Sequence, residues 1–209
     1  MTEQLSPLAL QALAVVEESG AIIGANHAHP HTIRHKGRID LVTETDIAVE
    51  AFLKERLATL APQAGFLAEE SAEDLSLPDT CWIIDPVDGT TNFAHGLPLT
   101  VTSVAYRLNG EIVLGIVNAP LLRECFIAEK GKGAWRNGER ISVSSVTACG
   151  RFDAFYEDEL KPWDMAAGAL LVTEAGGSIS NLDGSPFDLR WSILAGNKAM
   201  HELIGKMIR

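Results

Sequence analysis

The sequence has few cysteines, few aromatic residues and no long apolar run, and each scarcity excludes a class of protein. Its three cysteines, Cys81, Cys125 and Cys149, lie far apart and show neither metal-ligand nor redox spacing. A disulfide-stabilised module is therefore excluded, and because no basic and apolar leader follows Met1 we expect a reduced, cytoplasmic protein. No stretch approaches the roughly 20 consecutive apolar residues of a membrane helix, so we expect no membrane partner.

Positive charge is also scarce. The chain has 17 Lys and Arg against 28 Asp and Glu, a net charge of −11 at pH 7. Such a surface repels phosphate backbones, so nucleic acid is not an expected partner. The 209 residues, 46% hydrophobic and 22% charged, have the composition of a globular protein that can bury a core, but the length alone leaves one or two domains open.

The apolar periodicity predicts helices alternating with short strands. Ser6-Pro7 is typical of a helix start, and two strands, 65–68 and 81–84, run directly into acidic residues. The pairs Asn109-Gly110 and Asn137-Gly138 favour hairpin turns, which predicts an antiparallel meander between residues 99 and 143. The other predicted elements are helices over 7–26, after Asp46, from Lys161 and from Lys198, and strands over 152–156 and 192–195.

The densest chemical motif is WIIDPVDGTTNF, residues 82–93. An apolar strand ends at Asp85, Pro86 stiffens the turn, and Asp88 returns after two residues, so both carboxylates can face one cavity. Two close carboxylates repel each other unless a proton or a cation lies between them. With oxygen ligands and no His or Cys nearby, Mg²⁺ is favoured over Zn²⁺.

The same motif has the elements of a phosphate site. Gly89 allows a ligand to approach the backbone closely, and the amide groups of Thr90 and Thr91 can bind phosphate if a helix starts there. Each acidic motif also has a purely structural explanation when taken alone. Asp-Gly is a common turn, Glu69 can begin a solvated loop, and Asp164 favours the dipole of the helix it opens.

Taken together, the motifs resemble one protein family. Residues 82–95 look like the first signature of the inositol monophosphatase family of Mg²⁺-dependent, lithium-sensitive phosphatases, and residues 163–177 look like the second. Residues 40–46 and 69–71 match the two acidic motifs that precede the first signature in that family. Four matches in the right order, from Lys36 to Gly177, outweigh the separate structural explanations.

The resemblance implies a metal ligand set. One ion is implied to be held by Glu69, Asp85 and the carbonyl of Val87. A second is implied to be held by Asp85, Asp88 and Asp164, with Asp85 bridging the two. Glu69, helped by water, is implied to hold a weaker third ion, so the expected cofactor is Mg²⁺, roughly two to three ions per site.

The resemblance also implies the catalytic and substrate-binding residues. Asp46 matches the carboxylate that pairs with the Thr90 hydroxyl, and this pair together with Glu69 would position the attacking water and accept its proton. Glu157 matches the acid that receives a substrate hydroxyl, and Lys36 matches a cation near the mobile loop beside the site. Metal ions would activate that water and neutralise the phosphate during in-line displacement.

The implied fold is a layered α/β (α+β) sandwich of the sugar-phosphatase type, with αβαβα architecture. We expect residues 1–140 to hold most metal ligands and residues 141–209 to add Asp164 and Glu157. Between the two parts the family carries another helix and strand, which are missing here at Val146–Thr147. Either a segment is omitted at this join or the protein lacks it, and burial favours omission because a real deletion would expose apolar faces.

The expected function is Mg²⁺-dependent hydrolysis of a small phosphomonoester, with inositol monophosphate as the first substrate to test. Fructose bisphosphate, a nucleotide 3′-phosphate and histidinol phosphate remain open. The resemblance implies a homodimer. The alternative from another class is a non-catalytic regulatory protein that keeps the fold and acts through its surface, against which the complete set of acidic residues argues.

Overall fold

The computed structural model describes residues 4–27, 34–35, 41–144 and 153–209, with the backbone alone at 34–35 and 41–42. The helices are α1 (Pro7–Asn26), α2 (Glu44–Leu60), α3 (Thr90–Ala94), α4 (Pro162–Glu174) and α5 (Lys198–Ile208). The strands are β1 (Arg34–His35), β2 (Leu41–Val42), β3 (Gly65–Ala68), β4 (Cys81–Asp88), β5 (Val101–Leu108), β6 (Glu111–Ala119), β7 (Glu124–Glu129), β8 (Gly133–Arg136), β9 (Glu139–Ile141), β10 (Ala154–Leu160), β11 (Ser178–Ser180) and β12 (Trp191–Gly196).

The strands form one large sheet and two small ones. Seven strands, β3 to β9, lie side by side in chain order; β3 and β4 are parallel and the following pairs are antiparallel. The predicted Asn-Gly turns close two of these hairpins, with positive φ at Asn109 (52°) and Gly110 (85°), as the tight turn requires. The second sheet has the order β10-β12-β11, and β1 pairs with β2.

Helices α1 and α2 cover one face of the seven-stranded sheet. Val16 and Ile23 of α1 and Leu53 of α2 are fully buried with Trp82 and Ile84 of β4. The alternate residues of β4, Cys81 and Ile83, are buried on the opposite face. Strand β4 is therefore a central strand, buried on both faces, which explains its nearly continuous apolar sequence.

Helix α4 lies between the two sheets. Its residues Met165 and Ala166 share a core with Ile83 and Ala105 of the large sheet and with Ala195 of the small one. Helix α5 packs on the other side of the small sheet, against β11 and β12. The layers therefore run α1 and α2, large sheet, α4, small sheet, α5, and the expected αβαβα sandwich is confirmed.

Helix α1 is long and apolar enough to cross a membrane, by length and composition alone. Its buried residues, however, contact α2 and the sheet in the core, and Glu17 and Glu18 lie on its exposed side. A core helix that buries one apolar face in its own domain has this composition, so α1 carries no argument for a membrane span.

Several local features differ from the sequence-based expectation. Strand β10 extends to Leu160, four residues beyond the predicted end, and the short strand β11 and the β1–β2 pair were not expected. The two expected parts, 1–140 and 141–209, share a core through α4. The join at Val146–Thr147 and Lys36 lie outside the described residues.

Candidate active site

The candidate site lies at one edge of the large sheet, where β3 ends and its pairing with β4 stops at Ala68 and Ile84. Because these strands are parallel, Glu69 and Asp85 emerge at the same edge, and the Glu69 N–H donates to the Ile84 carbonyl at 3.1 Å. The pairing of β4 with β5 shifts register between Asp85 and Asp88. Pro86 lies in this bulge, which is where a residue without an N–H fits a sheet, and the bulge redirects the strand before Asp88.

Asp85 is a buried carboxylate among other acids. It is 2% exposed, and burial together with the charges of Glu69, Asp88 and Asp164 raises its pKa well above the ordinary value. It shares a hydrogen bond with the Glu69 side chain, while its Oδ1 has no hydrogen-bond partner among the described residues. An ionised carboxylate in this position needs a cation to be stable.

Three further acids line a cavity of about 530 Å³: Asp88, Glu157 and Asp164. Asp164 lies in the first turn of α4, where its Oδ2 accepts from the Lys161 N–H at 2.6 Å. Burial and, to a lesser extent, the charges of Asp88, Glu69 and Glu157 together raise the pKa of Asp164 to about 6, against the lowering effect of that hydrogen bond. Burial by the cavity walls and the charge of Glu157 also raise the pKa of Asp88.

A second cavity, of about 570 Å³, lies beyond Leu160, which lines both. Its polar side chains are Arg107, Asp188 and Arg190, and none of the acids predicted for the site lines it. Of these two cavities, the one of about 530 Å³ is therefore the candidate active site, because it contains the predicted acids.

A hydrogen bond links Asp46 to Thr90, which are 44 residues apart in the sequence. The Thr90 hydroxyl lies 2.9 Å from Asp46 Oδ1 and 2.9 Å from the Val87 carbonyl, and its single proton can be donated to only one of them at a time. Asp46 is fully buried at the start of α2, where its Oδ2 accepts from the Thr43 N–H at 3.0 Å and from the Thr43 hydroxyl. This capping box fixes the carboxylate that faces Thr90.

Gly89 makes the turn that places α3 beside the acids. Its φ is +87°, and a Cβ there would lie 2.8 Å from the Leu99 carbonyl oxygen, so a side chain is excluded on both grounds. Helix α3 begins at Thr90, directly after this turn. The first N–H groups of a helix have no intrahelical partners, so those of Thr90 and Thr91 are suited to an anionic ligand.

The donor set fits a hard cation such as Mg²⁺. It consists of carboxylates and the Val87 carbonyl, and the unpartnered Oδ1 of Asp85 is a buried oxygen that a cation would satisfy. Within the described ranges, no three Asp, Glu, His or Cys side chains already form a complete metal cluster. Water and the Val87 main-chain carbonyl would complete the coordination of a cation held by these carboxylates.

Comparison with known proteins gives this geometry its context. The profile described as "Inositol monophosphatase family" matches residues 4–148 and 145–209, nearly the whole chain. The chain belongs to the inositol monophosphatase family. As a member of this family it is a phosphoric monoester hydrolase. The two matched segments meet at residues 145–148, around the join at Val146–Thr147.

Two curated relatives illustrate the range of the inositol monophosphatase family. An "Inositol monophosphatase" of Dictyostelium discoideum is 36% identical over 253 aligned positions, covering 94% of this chain and 93% of the relative. A "Nus factor SuhB" of Escherichia coli (strain K12) is 31% identical over 246 positions, covering 92% of each. Both alignments are longer than the 209 residues of this chain, so they include positions that this chain does not fill.

Solved structures of the family share the fold. The extragenic suppressor protein suhB of Bartonella henselae is 29% identical, with a TM-score of 0.91 over 98% of this chain and 99% of that one. An IMPase/NADP phosphatase complexed with Mg²⁺ and phosphate is 23% identical, with a TM-score of 0.83 over 93% of this chain and 92% of that one. The second likeness concerns the fold alone.

The structure brings most of the predicted site residues to one region. Glu69, Asp85, Val87, Asp88, Gly89, Thr90, Thr91, Glu157 and Asp164 lie around the sheet edge and its cavity, and Asp46 reaches Thr90. Sequence reasoning missed Thr43, which caps α2 through Asp46, and Glu50, which contacts the turn after Glu69. The signal for Glu50 was available, since an acid four residues after Asp46 lies on the same helix face.

Proposed function

We propose that this phosphatase hydrolyses a small polyol or sugar phosphate in a Mg²⁺-dependent reaction, with inositol monophosphate as the first substrate. The observation that carries the proposal is Asp85, a buried carboxylate with an unpartnered oxygen beside an acidic cavity. The negative charges of Glu69, Asp88 and Asp164 lie near enough to raise its pKa. Such a group of carboxylates is unfavourable on its own and is suited to bind cations that in turn receive a phosphate.

The proposed ligands are Glu69, Asp85 and the Val87 carbonyl for one ion, and Asp85, Asp88 and Asp164 for a second. A weaker third ion at Glu69 would bring the number to roughly three. When bound, Mg²⁺ would lower the pKa of a coordinated water and neutralise the phosphate oxygens.

The chain's own residues would orient and deprotonate that water. Asp46 accepts the Thr90 proton at 2.9 Å, which leaves the lone pairs of the Thr90 hydroxyl directed towards other donors. A water that donates to Thr90 would then be held in one orientation, and the Glu69 carboxylate would accept its second proton. No covalent enzyme intermediate is needed for this reaction.

The substrate contacts follow from the cavity. The first turn of α3 would bind the phosphate through the amide groups of Thr90 and Thr91, with Gly89 leaving room for it. Glu157 lines the same cavity, and a carboxylate there accepts hydrogen bonds from hydroxyl groups and repels a second phosphate. This favours a polyhydroxylated monophosphate over a bisphosphate. We also propose that Lys36 matches the family's cation near the mobile loop beside the site.

The deciding experiment is phosphate release from a panel of esters with and without Mg²⁺. The panel contains inositol monophosphate, fructose bisphosphate, a nucleotide 3′-phosphate and histidinol phosphate, and each reaction is repeated with lithium. We expect Mg²⁺-dependent, lithium-inhibited release, most rapid with inositol monophosphate. The Asp88→Asn variant should lose it, and unaltered turnover by this variant would refute the role of Asp88.

A second candidate is a regulatory role exerted through the surface of the same fold. It is favoured by one observation, the relative of Escherichia coli named as a Nus factor. The same panel separates the two functions: a folded, Mg²⁺-saturated sample that hydrolyses none of the esters would favour the regulatory role. We further propose that the protein is a cytoplasmic homodimer, which light scattering after size-exclusion chromatography tests through its mass in solution.

A further inference from the structure

Helix α2 has a polar stripe directed towards the candidate site. Asp46, Glu50 and Lys54 follow one another at intervals of four residues, which places them on one helix face. Asp46 is fully buried and Glu50 is 5% exposed. Carboxylates are almost never this buried unless hydrogen bonds or ion pairs satisfy them, and Asp46 has its partners in Thr43 and Thr90.

Glu50 has its partners in the turn that follows Glu69. Its Oε2 accepts from the Glu70 N–H at 2.8 Å, and its Oε1 lies 3.8 Å from Lys54 Nζ. Lys54 Nζ in turn donates to the Ser71 hydroxyl at 2.9 Å. Two side chains of α2 therefore hold the two residues that come directly after Glu69.

The backbone before Glu69 is held by the sheet. The Glu69 N–H donates to the Ile84 carbonyl at 3.1 Å, which continues the β3–β4 pairing, and the Ser71 N–H donates to the Ala68 carbonyl at 3.3 Å. Once β3 ends, the sheet no longer restrains the chain, and the bond from Glu70 to Glu50 supplies the next restraint. The direction of the Glu69 side chain depends on both.

We infer that Glu50 is a positioning residue for the metal site, acting through Glu69; this inference rests on the proposed function. Its buried carboxylate fixes the Glu70 peptide and so holds the Glu69 carboxylate towards Asp85. Hydrogen bonds that backbone N–H groups donate to charged acceptors are strong and directional, which suits this task. Residues that orient metal ligands in this way typically change metal affinity by about 10-fold or more when they are removed.

The test is the affinity for Mg²⁺, measured by isothermal titration calorimetry with MgCl₂ on the full chain. We expect Glu50→Ala to raise the Mg²⁺ dissociation constant about 10-fold. Glu50→Gln should stay within about threefold of wild type, because its amide oxygen can accept the same N–H. Thermal unfolding of each variant is recorded alongside.

Glu129 provides a matched control. Its Oε2 accepts from the Ser6 N–H at 2.7 Å and its Oε1 pairs with Lys132 at 3.0 Å, the same kind of contact on β7, away from the acids. Glu129→Ala should lower the unfolding temperature and leave Mg²⁺ affinity unchanged. If Glu50→Ala fails to fold, Glu50→Asp withdraws the carboxylate by one methylene and is expected to weaken Mg²⁺ binding instead.

Four results would overturn the inference. Wild-type affinity in Glu50→Ala, or equal weakening in Glu129→Ala, would make Glu50 a structural residue only. Equal weakening in Glu50→Gln would assign the effect to charge instead of to the hydrogen bond. In the fourth result, the wild-type chain binds no Mg²⁺. This would overturn the proposed metal site together with the inference, whereas the first three results overturn the inference alone.

Discussion

At the scale of single residues, the acids of the site oppose folding and favour ligand binding. Burial and neighbouring charges raise the pKa of Asp85 and Asp164, so the folded protein holds these protons more tightly than the unfolded chain does. Without a metal, their contribution to stability is present at acid pH and is lost as the pH rises through the folded pKa, which for Asp164 is about 6. Mg²⁺, which needs ionised ligands, reverses this balance.

The Asp164→Asn variant tests whether the carboxylate that Mg²⁺ binding needs lowers the stability of the metal-free protein. In EDTA at pH 8, we expect the variant to be more stable than wild type by about 1–2 kcal/mol. This figure is reduced from the full effect of the pKa shift, because solvent screens the partly exposed carboxylate. This gain in stability should shrink at pH 5, where wild-type Asp164 is mostly protonated. The variant should also bind Mg²⁺ more weakly than wild type, because it lacks the carboxylate. Urea unfolding at both pH values measures the difference. Glu55→Gln removes an equal charge from an exposed position of α2 and should show no such pH dependence.

Thr90 provides a second test at this scale. Thr90→Val keeps the shape of the side chain but removes the hydroxyl that meets Asp46 at 2.9 Å, so we expect kcat to fall about 100-fold. Thr90→Ser keeps the hydroxyl and should retain most activity. Mg²⁺ affinity should change little in either variant. Steady-state kinetics of the two variants side by side gives the answer, and equal activity would remove the Asp46–Thr90 pair from the mechanism.

At the scale of elements, two helices bring distant acids to the sheet edge. Helix α2 presents Asp46 and Glu50, and α4 presents Asp164 from between the two sheets. Their positions depend on packing against the sheet. Helix α4 approaches β6 closely at Gly115, where an added Cβ would lie 2.8 Å from the Ala167 carbonyl oxygen and 3.0 Å from the Ala167 Cα.

Gly115→Ala should therefore destabilise the protein. Both clashing atoms belong to the backbone of α4, so the helix must move, and overpacking of this kind costs about 1–3 kcal/mol. Gly24→Ala is the matched control: its Cβ would meet nothing within 4 Å, and it should be neutral or raise stability by up to about 1 kcal/mol. Thermal unfolding compares the two, and equal stability of both variants would contradict the close packing of α4.

At the scale of the whole molecule, the acidic set is present although the chain is short for its family. The alignment with the Dictyostelium relative spans 253 positions against 209 residues here. A cavity of about 180 Å³ is lined by Ser144, Asp153 and Phe155 among others, and Phe155 is half exposed on β10. We propose that a further segment belongs at Val146–Thr147 and covers this region.

The mass of the intact protein tests this proposal. A segment at Val146–Thr147 requires a mass clearly above 22.5 kDa, and a mass near 22.5 kDa would contradict it. Because the proposed metal ligands lie outside the join, Mg²⁺ binding is expected in either case. Substrate preference is expected to depend on the segment, since it would lie beside the cavity that contains Glu157.

The sequence by itself determined the features that depend on neighbouring residues. Pro7 at the start of α1, the turn at Asn109-Gly110 and the acid directly after β3 follow from local backbone geometry, and the motifs of residues 82–95 and 163–177 indicated the family. By contrast, the short strand β11 has no distinctive local pattern; its pairing with β12, which follows it in the chain, defines it.

Only the tertiary structure decided how these parts act on one another. The bonds from Thr90 to Asp46 and from Glu70 to Glu50 join residues 44 and 20 positions apart, and no local pattern specifies their partners. The raised pKa values of Asp85 and Asp164 have the same origin. They arise from burial and from the charges of nearby acids: the pairing of β3 with β4 brings Glu69 next to Asp85, and the packing of α4 brings Asp164 to both. Desolvation and Coulomb energy depend on distance in space and not on distance along the chain.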